Sequence, residues 1–142
     1  MSIERICSRE TVLAGEGESV RAAAQRMLDH RTGSLVVLND RHQPIGMLTD
    51  RDLVTRVMAP GKNPEKVLVG DVMTPQPRTV SKDTPIELAI SMMRSGGFRR
   101  MPVVGDCEKL IGVVSLDDVL SLLAEEFAAI GKLVDAASRK HA

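Results

Sequence analysis

The chain has 142 residues, 43% of them apolar and 27% charged, a balance that suits one folded unit with its own core and excludes a disordered tail. Lys plus Arg number 19 and Asp plus Glu number 19, and a net charge of zero argues against a strong non-specific hold on DNA or RNA, which needs positive charge facing the phosphates. Phe98 and Phe127 are the only members of the Phe, Trp, Tyr set, which excludes a stacking platform for single-stranded bases, and no apolar run of about 18 residues is present to span a bilayer.

In chain order, Met1 to Cys7 lacks the apolar stretch of a secretion signal, so cytoplasmic residence is the expectation. Cys7 and Cys107 stand far apart and read as reduced thiols, and His30, His42 and His141 show no metal-ligand spacing with them. Val20, Ala23, Ala24, Met27 and Leu28 recur at helical spacing and predict a helix from about Glu18 to Asp29, with Gly33 after it where a chain stops coiling. Leu35–Leu38 and Ile45–Leu48, joined by a polar turn, suit an antiparallel hairpin, and a second helix opens at Thr49. Ala59 to Pro64 reads as a linker. The second half repeats the plan. A helix runs from Thr84 to Ser95, with Thr84 as N-cap, Pro85 in the first turn and Gly96-Gly97 behind it. Strands Met101–Val104 and Leu110–Val114 follow, and a last helix opens at Ser115.

Shifting the chain by 66 places lays residues 3–57 on 69–123 without a gap. Identities are few, among them Ala23/Ala89, Met27/Met93, Gly46/Gly112 and Asp52/Asp118, but apolar falls on apolar throughout. The expected class is α+β: two pseudo-symmetric repeats, each a small sheet flanked by helices, plus a long C-terminal helix. The boundaries are 1–58 for the first repeat, 59–68 for the linker, 69–125 for the second repeat and 126–142 for the helical extension. One copy alone would be marginal, so the two are expected to stack sheet to sheet around a common core. In the last helix Leu116, Leu120, Leu123, Phe127, Ile130, Val134 and Ala137 follow a 4,3,4,3 spacing, a heptad seam. Either this stripe packs on its own module or it meets its twin across a dimer interface; the dimer is favoured, because Phe127 onward lies beyond the repeat.

The chemistry concentrates in Gly46-Met47-Leu48-Thr49-Asp50-Arg51-Asp52 and Gly112-Val113-Val114-Ser115-Leu116-Asp117-Asp118. Glycine lets another group approach the strand, the hydroxyl stands at a helix N-terminus that favours an anion, and the aspartate is a bidentate acceptor suited to two ribose hydroxyls. The same spacing is that of a capping box, which accounts for the hydroxyl and the acid without any ligand but not for the recurring glycine.

These spans, with Val69-Gly70-Asp71-Val72-Met73-Thr74 and Arg99-Arg100-Met101-Pro102-Val103-Val104, resemble a tandem pair of CBS domains, the cystathionine-β-synthase-type repeat also called a Bateman module. The resemblance covers residues 1 to about 125, and the stretch Gly46 to Leu53 is especially similar to small stand-alone bacterial pairs, including the hypoxic response protein type. It implies two clefts between the repeats that take adenine-containing ligands such as AMP, ADP, ATP, NAD or S-adenosylmethionine, with AMP foremost and no cofactor required. By similarity Asp118 holds ribose, Ser115 meets phosphate, and Thr79, Val80, Met101 and Pro102 flank the adenine. Arg99 or Arg100 neutralises phosphate, strand alternation allowing only one to face inward. In the first copy Asp52 and Thr49 play the matching parts, Leu13, Ser34 and Leu35 lie near the base, and Arg51 reaches a phosphate. The first copy departs from the pattern, with Ile3-Glu4-Arg5-Ile6-Cys7-Ser8 and Gly33-Ser34-Leu35-Val36 at the matching places, so the cleft assigned to the second copy, with Ser115 and Asp118, is the stronger candidate.

No Ser/His/Asp or Cys/His arrangement, Gly-x-Gly-x-x-Gly motif or phosphate-loop lysine is present, which argues against an enzyme. No effector domain is expected within the chain, so the signal passes to a separate partner or to the module's own assembly. The leading expectation is an adenine-nucleotide-binding regulatory module acting as a homodimer; the alternative is a ligand-free interaction scaffold. On the first reading, Asp118→Ala abolishes binding and leaves the melting temperature little changed.

Overall fold

A computed structural model describes residues 1–140; His141 and the end of the predicted extension lie outside the described residues. The repeat in the sequence is a repeat in the fold, with the same 66-place offset. Helix α1 (Val20–His30) matches α4 (Ile86–Gly96), strand β2 (Ser34–Leu38) matches β6 (Arg100–Val104), and β3 (Pro44–Thr49) matches β7 (Leu110–Ser115). β2–β3 and β6–β7 are antiparallel hairpins, as expected, and their registers slip at equivalent places, Val37/Leu38 and Val103/Val104. The class is α+β.

Each helix forms because its apolar residues face a sheet. Val20, Ala23 and Met27 are buried in α1, and Ile86, Ala89 and Met93 in α4. The ends differ from expectation. Ser19, not Glu18, precedes α1 and accepts a 3.2 Å bond from Ala22 N. In α4 the cap position falls on Pro85, with no side-chain cap bond, so Thr84 is not the cap. Gly97 takes the left-handed position after α4 (φ 69°), but after α1 that position falls on Arg31 (φ 51°), two residues ahead of Gly33.

Three short strands and two single-turn helices complete the sheets. β1 (Leu13–Gly15) runs parallel to β2, and β5 (Val80–Ser81) runs parallel to β6. β4 (Thr74–Pro75) adds to β3, giving sheets of order β1-β2-β3-β4 and β5-β6-β7. Helix α2 (Asp50–Leu53) continues as a wider, π-type turn over Val54–Met58, and α3 spans Val69–Val72.

The lead-in segments are exchanged between the copies. Ile3 is fully buried against Val80, Ile86, Ala89 and Met101 of the second copy, whereas Val69 and Val72 are buried against Val20, Leu35 and Leu48 of the first. Main-chain bonds fix the exchange in symmetric pairs: Ile3 N to Thr84 O (2.9 Å) and Val69 N to Glu18 O (2.8 Å). Ser8 pairs with Val113 as Thr74 pairs with Met47, and Ser2 with Pro85 as Leu68 with Ser19. The buried side chains therefore form two clusters, one on each sheet, each completed by a segment from the other copy. This corrects the expectation of one common core: the faces toward the interface carry clefts, and the apolar contacts lie between each sheet and its helices.

The repeated glycines belong to this exchange. A β-carbon on Gly112 would stand 2.4 Å from the carbonyl oxygen of Ser8, and one on Gly46 would stand 2.3 Å from the sulfur of Met73. What approaches each glycine closely is the exchanged segment, not a ligand. Main chain yields less readily than the end of a methionine. Gly112→Ala is therefore expected to cost about 2–3 kcal/mol and Gly46→Ala about 1 kcal/mol, measured by thermal or urea unfolding.

Helix α5 (Leu116–Lys140) has 25 residues, and Val119 is its one buried side chain. Leu116 and Leu122 pack partly on the second core, but every residue from Leu123 to Lys140 is exposed. The reading in which the heptad stripe packs on its own module does not hold beyond Leu122. Among the described residues no helix is long and apolar enough to cross a membrane.

Candidate functional site

Two clefts lie where the hairpins of the two copies face each other. The first has a volume of about 290 Å³ and is lined by Thr11, Val12, Ser34, Val36 and Met47 of the first copy and by Arg100, Val113, Ser115 and Asp118 of the second. The second, about 470 Å³, is lined by Met47 and Thr49 of the first copy and by Arg78, Phe98, Arg99, Arg100 and Pro102 of the second. Val36 corresponds to Pro102 and Ser115 to Thr49 under the repeat, so the two spaces are pseudo-symmetric.

In each cleft the hydroxyl comes from one copy and most of the opposing wall from the other. This corrects the expected grouping, in which Asp118 shared a cleft with Thr79, Val80, Met101 and Pro102, and Asp52 with Leu13 and Leu35. A strand's outward side chains meet the facing hairpin, not the helix that follows in its own copy. The expected adenine wall also changes. The side chains of Leu35, Val80 and Met101 sit in the hydrophobic cores, 1%, 3% and 0% exposed. Thr79 lines neither cleft, and Leu13 opens with Arg26 on a separate hollow. Ser34, Thr49, Arg99, Arg100, Pro102, Ser115 and Asp118 do line the clefts, and Arg51 and Asp52 do not. Both arginines face the second cleft, because Arg99 lies just before β6 and escapes strand alternation. Arg100 reaches both clefts and donates to Ser34 Oγ, its own repeat counterpart, at 3.4 Å. Thr11, Val12, Phe98 and Arg78 are lining residues that the sequence reading missed. Alternation from Ser34 gives Val36 as it gives Pro102 from Arg100, but nothing in the sequence marks Thr11 or Arg78.

Both capping boxes form. Thr49 N donates to Asp52 Oδ2 (3.0 Å) and Asp52 N to Thr49 Oγ1 (3.2 Å); Ser115 N donates to Asp118 Oδ2 (2.8 Å) and Asp118 N to Ser115 Oγ (3.2 Å). The carboxylates are folded onto their own main chain, yet apolar side chains do not fill the clefts. A carboxylate has about four acceptor positions, and the box takes one. The copies then diverge: Asp52 Oδ1 lies 3.9 Å from Arg56, which also donates to Val72 O (2.7 Å), whereas among the described residues Asp118 makes no ion pair. Because Asp118 caps α5, Asp118→Ala removes a cap as well as a cleft acceptor. The expectation of an unchanged melting temperature is therefore replaced by a loss of about 1 kcal/mol.

A CBS-domain family profile matches residues 3–59 and 69–125. The chain belongs to the CBS-domain family. It is a tandem CBS pair, and such pairs are regulatory modules. An uncharacterised protein of Methanopyrus kandleri is 36% identical to this pair over 122 residues, 86% of this chain and 62% of that protein, so the chain spans under two thirds of that relative. Hypoxic response protein 1 of Mycobacterium tuberculosis is 33% identical over 111 residues, 78% of this chain and 77% of that one. A crystal structure of Hypoxic Response Protein I with two coordinated zinc ions superposes with a TM-score of 0.77 at 29% identity, covering 85% of this chain and 98% of that one. Among the described residues of this CBS pair, no group of three or more His, Cys, Asp or Glu is placed to hold a metal.

Cys7 stands beside the first cleft, half-buried, and burial is the main cause that pushes its thiol above the ordinary range, with Arg9 opposing and Asp118 and Glu4 adding. Cys107 is exposed. At pH 8 a thiol with a raised pKa holds less thiolate, so Cys7 is expected to be alkylated at least about tenfold more slowly than Cys107, as read by mass spectrometry over time.

Proposed function

We propose that this CBS pair senses an adenine nucleotide, AMP foremost, in the cleft beside Ser115 and Asp118. The observation that carries the reading is the position of Asp118. Its Oδ2 is held by Ser115 N at 2.8 Å, and the residue still lines a cavity into which Arg100 projects. A fixed acceptor for ribose hydroxyls and a guanidinium for phosphate thus face one space. At about 290 Å³ that space lies at the lower edge of ordinary small-ligand sites, which favours a mononucleotide over NAD. The wall comes from both copies, so a bound nucleotide biases the angle between them, and that differential affinity is the signal. A CBS pair of the same fold, 22% identical with a TM-score of 0.75, is described in complex with 5'-methylthioadenosine and S-adenosyl-L-methionine. On this reading the chain is not an enzyme. It works in the cytoplasm, where Cys7 and Cys107 stay reduced, and acts as a homodimer through α5 that passes its state to a separate effector.

The scaffold reading draws its support from the closed capping boxes. Titration calorimetry with AMP, ATP and NAD separates the two, and Asp118→Asn is the variant to use. An Asn side chain keeps an oxygen for Ser115 N but offers no second anionic acceptor. The expected result is AMP binding that weakens by about 10- to 100-fold in Asp118→Asn while the melting temperature moves by less than about 3 °C. No heat of binding with any of the three nucleotides leaves the scaffold.

A further inference from the structure

Beyond the body of the molecule, α5 carries a surface that no other described residue covers. Phe127 and Leu133 are each 71% exposed, Val134 58% and Ile130 54%. The heptad places Leu120, Phe127 and Val134 at a, and Leu123, Ile130 and Ala137 at d. The two flanks of the seam are unlike. One, at e, is small: Ala124, Gly131 and Ser138. The other, at g, holds Glu126, Leu133 and Lys140.

Those flanks decide how a second copy fits. In a parallel pair, g faces e. Glu126 then meets the partner's Gly131 and Leu133 meets the partner's Ser138, so the carboxylate gains no cation and the exposed leucine no apolar neighbour. Phe127 also meets the partner's Phe127 at a. In an antiparallel pair, g faces g and e faces e. With Gly131 opposite the partner's Gly131, each seam and flank position within residues 124–140 finds a complement, and Leu120 and Leu123 lie outside the paired segment. Phe127 packs on the partner's Ala137 and Ile130 on the partner's Val134, large against small and medium against medium. Glu126 faces the partner's Lys140 at both ends, and Leu133 meets the partner's Leu133 at the centre. The small flank lets the two backbones approach closely. Sliding the pair by one heptad in either direction sets Glu126 or Lys140 against a leucine and loses both ion pairs.

We infer that residues 124–140 pair with the same segment of a second copy as an antiparallel coiled coil whose two-fold axis passes at Gly131. This rests on the homodimer part of the function proposed above and not on its nucleotide part. It accounts for Leu133, an exposed apolar residue that lies off the a/d stripe.

Glu126, Leu133 and Lys140 are all exposed, so substituting them leaves the body of the monomer intact, which circular dichroism checks. Dimer dissociation is measured by light scattering and sedimentation in low salt. Glu126→Lys and Lys140→Glu are each expected to raise the dissociation constant by about tenfold, since each makes two like-charged contacts per dimer. The double variant E126K/K140E restores the wild-type value, and Leu133→Glu, which sets two carboxylates together on the axis, gives a monomer. A wild-type chain that is monomeric at high micromolar concentration overturns the pairing together with the homodimer reading. A dimer that Leu133→Glu and Glu126→Lys both leave unchanged is built on another surface, and overturns the pairing alone. Weakened single variants that the double variant fails to rescue overturn the antiparallel register.

Discussion

The exchange of lead-in segments is the constraint on which the rest of the molecule depends. Ile3 completes the second core and Val69 and Val72 complete the first, so neither sheet has its full apolar complement without the other copy's chain. A repeat of this size is marginal alone. The exchange makes each copy a structural part of the other and holds the two hairpins face to face. The facing surfaces are then free to be polar and hollow, because the apolar packing has been placed behind them. The clefts are thus a product of where the cores lie.

Within that frame Asp118 and Asp52 show how one local motif supports two outcomes. Both close a capping box at the start of a helix. The difference lies in what surrounds the second carboxylate oxygen. Near Asp52 stands an arginine one turn along the helix, at 3.9 Å; near Asp118 no ion-pair partner stands among the described residues, and Asp118 lines the cleft. Capping and ligand binding are therefore not rival explanations of the motif. The cap fixes the rotamer, and a fixed acceptor is what a sugar hydroxyl needs.

Much of the fold is legible in the sequence, because buried faces recur at the helical and strand periods and at one constant offset. α1, α4 and both hairpins follow from that pattern to within two residues. What is not legible has physical reasons. β1 and β5 span Leu13–Gly15 and Val80–Ser81, too few residues to show an alternation. The exchange joins Ile3 to Thr84 and Val69 to Glu18, and local periodicity is silent about such distant pairs. The purpose of Gly46 and Gly112 follows from the exchange and was hidden with it. For the site, the motif residues Ser115, Asp118, Thr49 and Arg100 were marked by their recurrence or their chemistry. Their grouping into clefts was not, since it depends on which hairpin faces which.

α5 starts at the wall of one cleft and is exposed from Leu123 to Lys140. At about 1.5 Å per residue the part of α5 beyond Leu122 extends roughly 27 Å, so a tilt of about 10° about Leu122 sweeps its far end through roughly 5 Å. The helix is a lever with its fulcrum at the putting-together of Leu116 and Leu122 on the second core. A small tilt at the cleft wall arrives at Lys140 as a movement of about one helical turn.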